Sequence, residues 1–395
     1  MNKRAFIVLV SSMLISMLGM GIVSPFLPIY ADTLGASKLE VGLVQAGFSI
    51  TGIGTLLFIG RLSDRFGRKV FLSAGLGIIA ISSVGLMYAT RPIHLILWRF
   101  IQGLGASAHM PIAQAYLGDI TPEGSEGKWM GYFNAVLFAG IGGGPLAGGL
   151  ISDAFSIRAT FQFMAVLNAL ALVATILFLK EMQRKTAQTA SGSFLAPLRS
   201  RNLQGAISYN IANGVTIAGL MAFVPLFADL TIGLSASLIG VLLAARSPVS
   251  ILQSYTGRMA DKWNRRAMVL WGGLISMAAL CLLPHSRGFW PLLGAYILVT
   301  LGQTVGVPAV NTYVVQEGRI YGMGTAVTLF MLAMHLGTGL GPVALGAIAD
   351  RFGLESVFYS STACMAVGLV LFALLVRPGE QTPAAAMHQN GEVSE

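Results

Sequence analysis

Charged residues are scarce in this sequence of 395 residues. Asp, Glu, Lys and Arg make up 10% of the chain, apolar residues make up 55%, and the mean hydropathy is +0.73. A water-soluble globule of this size needs more polar surface than such a composition supplies. The composition therefore excludes a soluble domain and predicts a membrane protein.

Cysteine is nearly absent as well. Cys281 and Cys364 lie in apolar stretches without a CxxC motif or a His partner. We interpret both as small apolar residues rather than as a disulfide or a metal site. The chain also carries no metal-ligand cluster, nucleophile elbow or phosphate-binding loop. We therefore expect neither enzymatic activity nor a cofactor or bound metal.

Apolar stretches of membrane-spanning length dominate what is present. The hydrocarbon core of a bilayer is ~30 Å thick and needs about 20 helical residues. By that measure we predict an all-α membrane protein with twelve transmembrane helices, near residues 5–30, 39–60, 69–89, 93–118, 129–152, 158–179, 204–226, 236–257, 267–284, 290–313, 321–349 and 355–376. The first stretch is too long for a secretory signal and lacks a convincing cleavage site, so we expect it to be retained.

The twelve spans divide into two homologous halves. The decapeptide GRLSDRFGRK, at residues 60–69, returns as GRMADKWNRR at residues 257–266, a shift of 197. The same shift relates six further pairs: Pro28 and Pro225, Asp32 and Asp229, Pro111 and Pro308, Tyr116 and Tyr313, Gly144-Pro145 and Gly341-Pro342, and Asp153 and Asp350. A constant register indicates duplication. We predict an N-terminal bundle over 1–179, a cytoplasmic linker over 180–203, a C-terminal bundle over 204–376 and a disordered cytoplasmic tail over 377–395.

The basic residues predict the orientation of the chain. With both termini cytoplasmic, 18 of the 25 Lys and Arg residues lie on the cytoplasmic side, five lie in outer loops, and Arg99 and Arg246 fall within spans. Lys and Arg near span ends are retained on the cytoplasmic side. This topology, with attraction to anionic lipids, accounts for the net charge of +9 without a nucleic-acid partner. We expect a multi-pass monomer in the bacterial inner (plasma) membrane.

The repeated decapeptide places a carboxylate beside basic residues in what we predict to be a short loop between spans. Asp64 and Asp261 hold the fifth position of the two copies. Such a carboxylate can accept backbone N–H bonds at a helix N-terminus and pair with Arg at the same time. The alternative is that the basic residues only enforce topology, but topology does not require an Asp at this position in both copies.

This motif resembles the GxLxDRxGRK signature of the major facilitator superfamily, and the resemblance covers all twelve spans. It implies two pseudo-symmetric six-helix bundles that rock about a central cavity, with the loop aspartate helping to latch the cytoplasmic side. The gate residues that the resemblance implies are Gly60, Asp64, Arg65, Arg68, Asp261 and Arg265. The second copy departs from the signature, with Asn264 where the first has Gly67 and Lys262 where it has Arg65.

Two further motifs resemble those of proton-coupled members of that superfamily. The fourth span carries an RxxQGxGA motif, which implies roles in proton or substrate coupling for Arg99 and Gln102; we add Asp119, at the end of the same span, to these candidates. The fifth span matches the antiporter motif GxxxxxxxxGxxxGPxxGG of drug:proton exporters at Gly131, Gly140, Gly144, Pro145, Gly148 and Gly149. Three of these glycines repeat every fourth residue, so a neighbouring backbone can approach that face closely. The alternative is a tight structural crossing without a gating role.

Arg99 is the most informative single residue. An arginine in the hydrocarbon region costs roughly 2.5–3.5 kcal/mol on insertion scales, so it usually faces a cavity or a partner. Gln102 and His109 share its helical face, which predicts a polar stripe. Snorkelling of Arg99 to the outer headgroups is the alternative. Arg246 lies deeper in its span.

Acidic residues are missing from the predicted span centres. We expect all 16 Asp and Glu residues in loops, tails or span ends, the nearest to membrane depth being Asp32, Glu40, Asp119, Asp153, Asp229 and Asp350. Two intramembrane arginines without an embedded counter-charge favour an anionic or neutral amphiphilic substrate. Further candidate cavity residues are His109, Asn134, Asn210, Asn213, Arg246, Gln303, Asn311 and His335, for each of which a purely structural hydrogen bond is the alternative.

Three hypotheses follow. We favour a secondary exporter that exchanges a small amphiphilic compound for protons by alternating access and draws its energy from the proton gradient. The second hypothesis is a proton-linked or facilitated carrier of an organic anion or other small metabolite. The third, a non-transporting enzyme or receptor, lacks a catalytic motif and has outer loops too short to form a receptor domain.

Overall fold

The computed structural model describes residues 3–121, 125–181 and 196–376, and every regular element in these ranges is helical. The N-terminal half contains α1 (Lys3–Val23), α2 (Leu27–Thr33), α3 (Lys38–Phe66), α4 (Arg68–Met87), α5 (Pro92–Ile120), α6 (Glu126–Ala154) and α7 (Ile157–Phe178). The C-terminal half contains α8 (Arg201–Phe227), α9 (Ala236–Ala244), α10 (Arg246–Ile251), α11 (Gln253–Lys262), α12 (Arg265–Leu282), α13 (Phe289–Tyr321), α14 (Met323–Phe352) and α15 (Ser356–Leu375).

These helices form twelve spans in two six-helix bundles, which confirms the predicted all-α membrane fold. Within the described ranges, nine helical segments are long and apolar enough to cross a membrane. The other three spans are α3 and α5, of 29 residues each, and the consecutive helices α9, α10 and α11. Residues 182–195 of the predicted linker and the predicted tail lie outside the described residues.

Two predicted spans are interrupted where proline or a turn replaces regular helix. The first consists of α1 and α2, separated at residues 24–26, because Pro25 and Pro28 cannot donate backbone hydrogen bonds. The eighth consists of α9, α10 and α11, with Pro248 in the short central segment. Interrupted helices at membrane depth place backbone groups where they can line a cavity.

The 197-residue repeat is visible in how the helices cross. In the N-terminal half, α4 and α5 approach each other at Gly75 and Gly105, where an added Cβ would meet the opposite carbonyl oxygen. In the C-terminal half, α12 and α13 do the same at Gly272 and Gly302. Because only glycine permits backbones to approach this closely, the repeated glycines set the same crossing in both halves.

The buried apolar residues show how the two halves meet. We call the side on which α1 begins and α15 ends the termini side, and the opposite side the far side. Two buried clusters on the far side combine residues of both halves: one joins Val44 and Phe161 to Phe223, and the other joins Phe26 to Phe227. On the termini side, the cluster around Tyr116 belongs to the N-terminal half and the cluster around Tyr209 to the C-terminal half. Among the described side chains, the halves therefore share cores on the far side and keep separate cores on the termini side.

Candidate transport site and gates

Two carboxylates join the halves on the far side. Asp350, at the end of α14, accepts backbone hydrogen bonds from Lys38 at 2.7 Å and Leu39 at 2.9 Å, in the first turn of α3. Asp153, at the end of α6, accepts from Ala236 at 3.1 Å and Ser237 at 2.8 Å, in the first turn of α9. The first turn of a helix has unsatisfied N–H groups and a positive dipole end, so both contacts are favourable. Each half thus caps a helix of the other half.

The sequence indicated that these two aspartates lie near membrane depth and are related by the 197-residue shift, but it assigned them no role. The features that point to their role are this shift and the Ser residue at the start of each helix that they face. Ser37 and Ser235 are the N-caps of α3 and α9, and each accepts a bond from the backbone N–H three residues later. The sequence does not show that each aspartate faces a helix start of the other half. That requires knowledge of how the two halves are arranged.

Glycines line the same contacts between halves. An added Cβ on Gly149 or Gly240 would collide with the backbone of the opposite helix in the α6–α9 pair, and one on Gly42 or Gly346 would do so in the α3–α14 pair. Gly142 of α6 lies against Ser247 of α10 nearer the middle of the molecule. Both pairs therefore pack backbone to backbone along the far-side part of the bundle.

The antiporter motif contributes glycines to two different surfaces. Gly140, Gly144 and Gly148 face α1, and an added Cβ on Gly144 would lie 2.5 Å from the Cα of Gly21. Gly149 faces α9 across the two halves, whereas an added Cβ on Gly131 would meet nothing within 4 Å. The predicted close approach on the 140–144–148 face is confirmed, and helix α6 continues through Pro145.

The basic decapeptide is not the short loop that the sequence predicted. Helix α3 continues through the motif to Phe66, and Gly67, with φ of +102°, is the single residue between it and α4. Only glycine adopts this backbone conformation freely. In the second copy, Trp263 and Asn264 separate α11 from α12, and the Asn264 side chain caps α12 by accepting from Ala267 at 3.2 Å. Asparagine at the glycine position therefore replaces a one-residue break with a capped two-residue break.

The gate residues of the two copies lie at the termini side. The surroundings of Gly60 and the side chains of Asp64 and Asp261 lie outside what the structure describes, so the latch role of these three residues stays a prediction. Arg65 is exposed and lies over the ring of Phe66 at 5.3 Å, and Arg265 donates to the Ala260 carbonyl at 3.0 Å. Arg68 is buried and pairs with Asp119 at the end of α5.

Asp119 therefore lies apart from the two residues with which the sequence grouped it. It is 20 positions from Arg99 on the same helix, which corresponds to ~30 Å. Its pairing with Arg68 links the ends of α4 and α5 on the termini side. On that side Glu181 also accepts from the backbone N–H of Lys69 at 3.0 Å.

Arg99 is buried at the contact between α5 and α3, and all three parts of its guanidinium have acceptors. Nη1 donates to Gln102 Oε1 at 2.6 Å, Nη2 donates to Gln45 Oε1 at 3.1 Å, and Nε donates to the Val44 carbonyl at 3.2 Å. The guanidinium also lies over the ring of Phe48, 4.6 Å from its centroid. Neutral oxygens and an aromatic face thus hold this charge without a carboxylate.

Arg246 begins α10, at the interruption of the eighth span, and is only partly satisfied. Its Nη2 donates to Gln303 Oε1 of α13 at 3.3 Å, and Tyr296 of α13 lies near the same guanidinium. In the repeat register Tyr296 corresponds to Arg99. In the N-terminal half the arginine lies on α5 and contacts α3. In the C-terminal half it lies on α10, which corresponds to part of α3, and contacts α13, which corresponds to α5.

The remaining candidate cavity residues differ in burial and in hydrogen bonding. His109 and Asn213 are buried, and neither ring nitrogen of His109 nor Oδ1 of Asn213 has a hydrogen-bond partner within the described ranges. Asn210 is buried and donates to the Phe330 carbonyl at 2.7 Å, the structural bond considered as its alternative. Asn134 and Asn311 are exposed, and His335 is partly buried. Their roles in binding stay predictions.

One acidic residue is buried that the sequence placed in a loop. Helix α13 extends to Tyr321, eight residues beyond the predicted end of the tenth span, and includes Glu317. Glu317 is 7% exposed and accepts from Asn202 Nδ2 at 3.1 Å. Glu317 therefore lies at a buried span end rather than in a loop, because polar residues near a span end can remain helical when a neighbouring helix covers them.

The chain matches the family model described as Major Facilitator Superfamily over residues 9–245 and 206–391. Relatives include an uncharacterized MFS-type transporter of Methanocaldococcus jannaschii, 26% identical over 95% of this chain and 99% of the relative. The quinolone resistance protein NorA of Staphylococcus aureus is 26% identical over 94% and 96%. Multidrug resistance protein 2 of Bacillus subtilis is 28% identical over 98% of each chain.

Solved structures share the fold. A bacterial homologue of the human lysosomal transporter Spinster, in an inward-facing and occupied conformation, superposes with a TM-score of 0.77 at 15% identity, covering 96% of this chain and 99% of that one. The nucleoside transporter NupG superposes with a TM-score of 0.77 at 14% identity, covering 94% and 100%. At this identity the likeness concerns the fold alone.

Proposed function

The chain belongs to the major facilitator superfamily and is a membrane transporter rather than an enzyme, and from this premise we propose that it exports small amphiphilic compounds in exchange for protons. Transport proceeds by alternating access between the two bundles. The supporting observation is the distribution of the buried cores, which are shared between halves on the far side and separate on the termini side. Such a molecule admits substrate from one side while the other is sealed.

The far-side contacts are of a kind that can open and close. Each Asp cap consists of two hydrogen bonds to helix N–H groups, which water can replace when the helices part. The glycine contacts are backbone to backbone and interlock few side chains. Asp64 and Asp261 on the termini side act in the opposite state, when that side closes.

The relatives support the substrate class. Two of them carry quinolone or multidrug resistance in their names and align over nearly the whole chain. The excess of Lys and Arg on the termini side supports cytoplasmic termini in a bacterial inner membrane. Export then begins from the termini side, where the cores are separate. Arg99, Gln102 and Asp119 are the residues we assign to coupling.

A second candidate is a carrier of an organic anion. It is favoured by Arg246, whose guanidinium is only partly satisfied by the residues around it. In this candidate, proton coupling is not required.

Transport in liposomes tests the proposal. The purified protein is reconstituted with an internal pH dye, and norfloxacin, a quinolone with a carboxyl group, is added to either face under an imposed proton gradient. We expect norfloxacin to drive proton movement across the membrane in the opposite direction, and the gradient to drive its uphill accumulation. Uptake that follows only the compound's own gradient would overturn proton coupling and favour the facilitated carrier.

A further inference from the structure

A group of unused hydrogen-bond donors surrounds Arg246. Nη1 of Arg246 and Nε2 of Gln303 are buried and have no acceptor within the described parts of the chain, and neither has the buried hydroxyl of Tyr296, whose oxygen lies close enough to the Arg246 guanidinium to accept from it. Gln303 is 2% exposed and Tyr296 is 0% exposed. Leaving a buried donor unpaired is unfavourable, and more so when it is charged. Three such donors at one place indicate that an acceptor belongs there.

The helices that carry these donors supply no acidic partner. Helix α10 contains no Asp or Glu. The acid of α13, Glu317, is 14 positions from Gln303, or ~21 Å along the helix, and is bonded to Asn202. The hydroxyls of Ser250 and Thr300 donate to backbone carbonyls of their own helices. A charge-balancing group must therefore come from outside these elements.

Arg99 shows what a satisfied intramembrane arginine looks like in this protein. Its Nη1, Nη2 and Nε each donate to an oxygen of the N-terminal half. The amide of Gln303 satisfies only one nitrogen of Arg246, and its own Nε2 then becomes a further free donor. Each nitrogen of the Arg99 guanidinium thus has an acceptor, whereas Nη1 of Arg246 has none within the described residues.

The position of Arg246 makes it accessible to a transported compound. It lies at the interruption between α9 and α10 and is partly exposed, whereas Gln303 and Tyr296 behind it are buried. The next residue, Ser247, packs against Gly142 of the other half. The donors therefore lie close to the contact between the halves, which must change during alternating access.

We propose that Arg246, Gln303 and Tyr296 form a subsite for a carboxylate group of the transported compound. The proposal rests on the proposed function, in that the compound is a small amphiphile moved between the two halves. A carboxylate has two oxygens, which can accept from Nη1 of Arg246 and Nε2 of Gln303 together, and the Tyr296 hydroxyl adds a third donor. The planar guanidinium suits a carboxylate better than a point charge would.

Binding of three matched probes tests the subsite. The probes are 2-naphthoate, 2-naphthamide and 2-naphthylmethylammonium, which share one ring system and carry an anionic, a neutral and a cationic group, respectively. Each is titrated by calorimetry into the full-length protein in neutral phosphatidylcholine nanodiscs, with empty discs subtracted. We expect 2-naphthoate to bind at least about tenfold more tightly than the other two, because only it pairs with the free donors. Equal affinities would overturn the proposal.

Two variants test the roles of Arg246 and Gln303 in binding the carboxylate. Arg246→Gln should weaken 2-naphthoate binding about tenfold and leave 2-naphthamide within about twofold. Gln303→Glu should supply an internal carboxylate to Arg246, so it should abolish the preference for 2-naphthoate without lowering the unfolding temperature. If Arg246→Gln does not fold, Gln303→Glu carries the test. Arg287→Gln, at an exposed position of the far side, is the matched control and should bind as the unchanged protein does.

The two proposals fail in different ways. A carboxylate preference that depends on Arg246, found in a protein that moves no compound in liposomes, would overturn the proposed function and leave the subsite standing. Proton-coupled export of norfloxacin together with a 2-naphthoate affinity that Arg246→Gln and Gln303→Glu leave unchanged would overturn the subsite and leave the function standing.

Discussion

Asp153 and Asp350 make the same contact in opposite directions between the two halves. Asp153 of the N-terminal half caps α9 of the C-terminal half, and Asp350 of the C-terminal half caps α3 of the N-terminal half. The two aspartates are related by the 197-residue repeat. A symmetric pair of caps holds both edges of the far side, so opening requires both to break.

The first prediction concerns these caps. Asp153→Asn combined with Asp350→Asn removes the negative charge and one acceptor oxygen at each helix start, at a cost of roughly 1 kcal/mol each. We expect the population to shift toward a far-side-open state. Spin labels at Thr90→Cys and Arg287→Cys, with Cys281 and Cys364 replaced by Ser, should report a larger fraction of long distances.

Asp32→Asn serves as the control for that experiment. Asp32 pairs with the Lys38 side chain within the N-terminal half, on the same side of the molecule. It should leave the distance distribution unchanged. An identical distribution in the Asp153 and Asp350 double variant would show that the caps do not hold the far side.

The second prediction compares two glycines of one motif. Gly144→Ala should lower the unfolding temperature and reduce transport more than tenfold, because a Cβ there would lie 2.5 Å from the Cα of Gly21, and overpacking costs roughly 1–3 kcal/mol. Gly131→Ala should be tolerated, since its Cβ meets nothing within 4 Å. Equal effects of the two substitutions on thermal unfolding and liposome transport would contradict close packing of α6 against α1.

The third prediction concerns Arg99. Arg99→Lys should reduce the free energy of unfolding by about 1–3 kcal/mol, because an ammonium group lacks the planar fork that reaches three oxygens and leaves buried acceptors unpaired. Gln45→Leu should cost less in the Arg99→Lys background than alone. A double-mutant cycle from chemical unfolding in detergent measures this coupling, for which we expect about 0.5–3 kcal/mol. Strict additivity would show that the Arg99–Gln45 bond contributes nothing.

The fourth prediction concerns the breaks between helices in the repeated decapeptide. Gly67→Asn should destabilise the protein by about 1–3 kcal/mol, because position 67 has φ of +102° and an added Cβ would approach the Glu181 carboxylate. Asn264→Ala should cost about 1 kcal/mol through loss of the α12 cap, whereas Asn264→Gly should cost only a few tenths. Thermal unfolding of the three variants checks this order, and a harmless Gly67→Asn would contradict it.

The fold was predictable to a large extent because its main determinants are written linearly in the chain. Twelve apolar stretches, a constant shift of 197 residues and glycines at every fourth position of α6 do not depend on distant partners. The errors lie at helix ends. Helix α3 runs through the decapeptide and α13 runs past Glu317, since covering by neighbouring helices keeps polar residues helical there.

The site was less predictable from the sequence. The sequence placed Arg99 and Arg246 in apolar spans without an embedded counter-charge, and it grouped Asp119 with Arg99 as a coupling residue. In the structure Asp119 pairs with Arg68, and Arg99 is satisfied by Gln45 and Gln102. The Arg68–Asp119 and Arg99–Gln45 contacts join residues more than 50 positions apart, which pattern and spacing do not reveal, whereas Gln102 lies three positions from Arg99 and was predicted on its helical face.

The linear chain alone specifies that this protein crosses a membrane, how many times, and that it does so in two related halves, because hydrophobic length and repeat register can be read along the chain without knowledge of tertiary contacts. Which side of the molecule is sealed and which arginine keeps free donors became evident only in the folded molecule. Those outcomes depend on where the two halves touch, and a carboxylate or an amide oxygen acts as a partner only when folding brings it within hydrogen-bond distance.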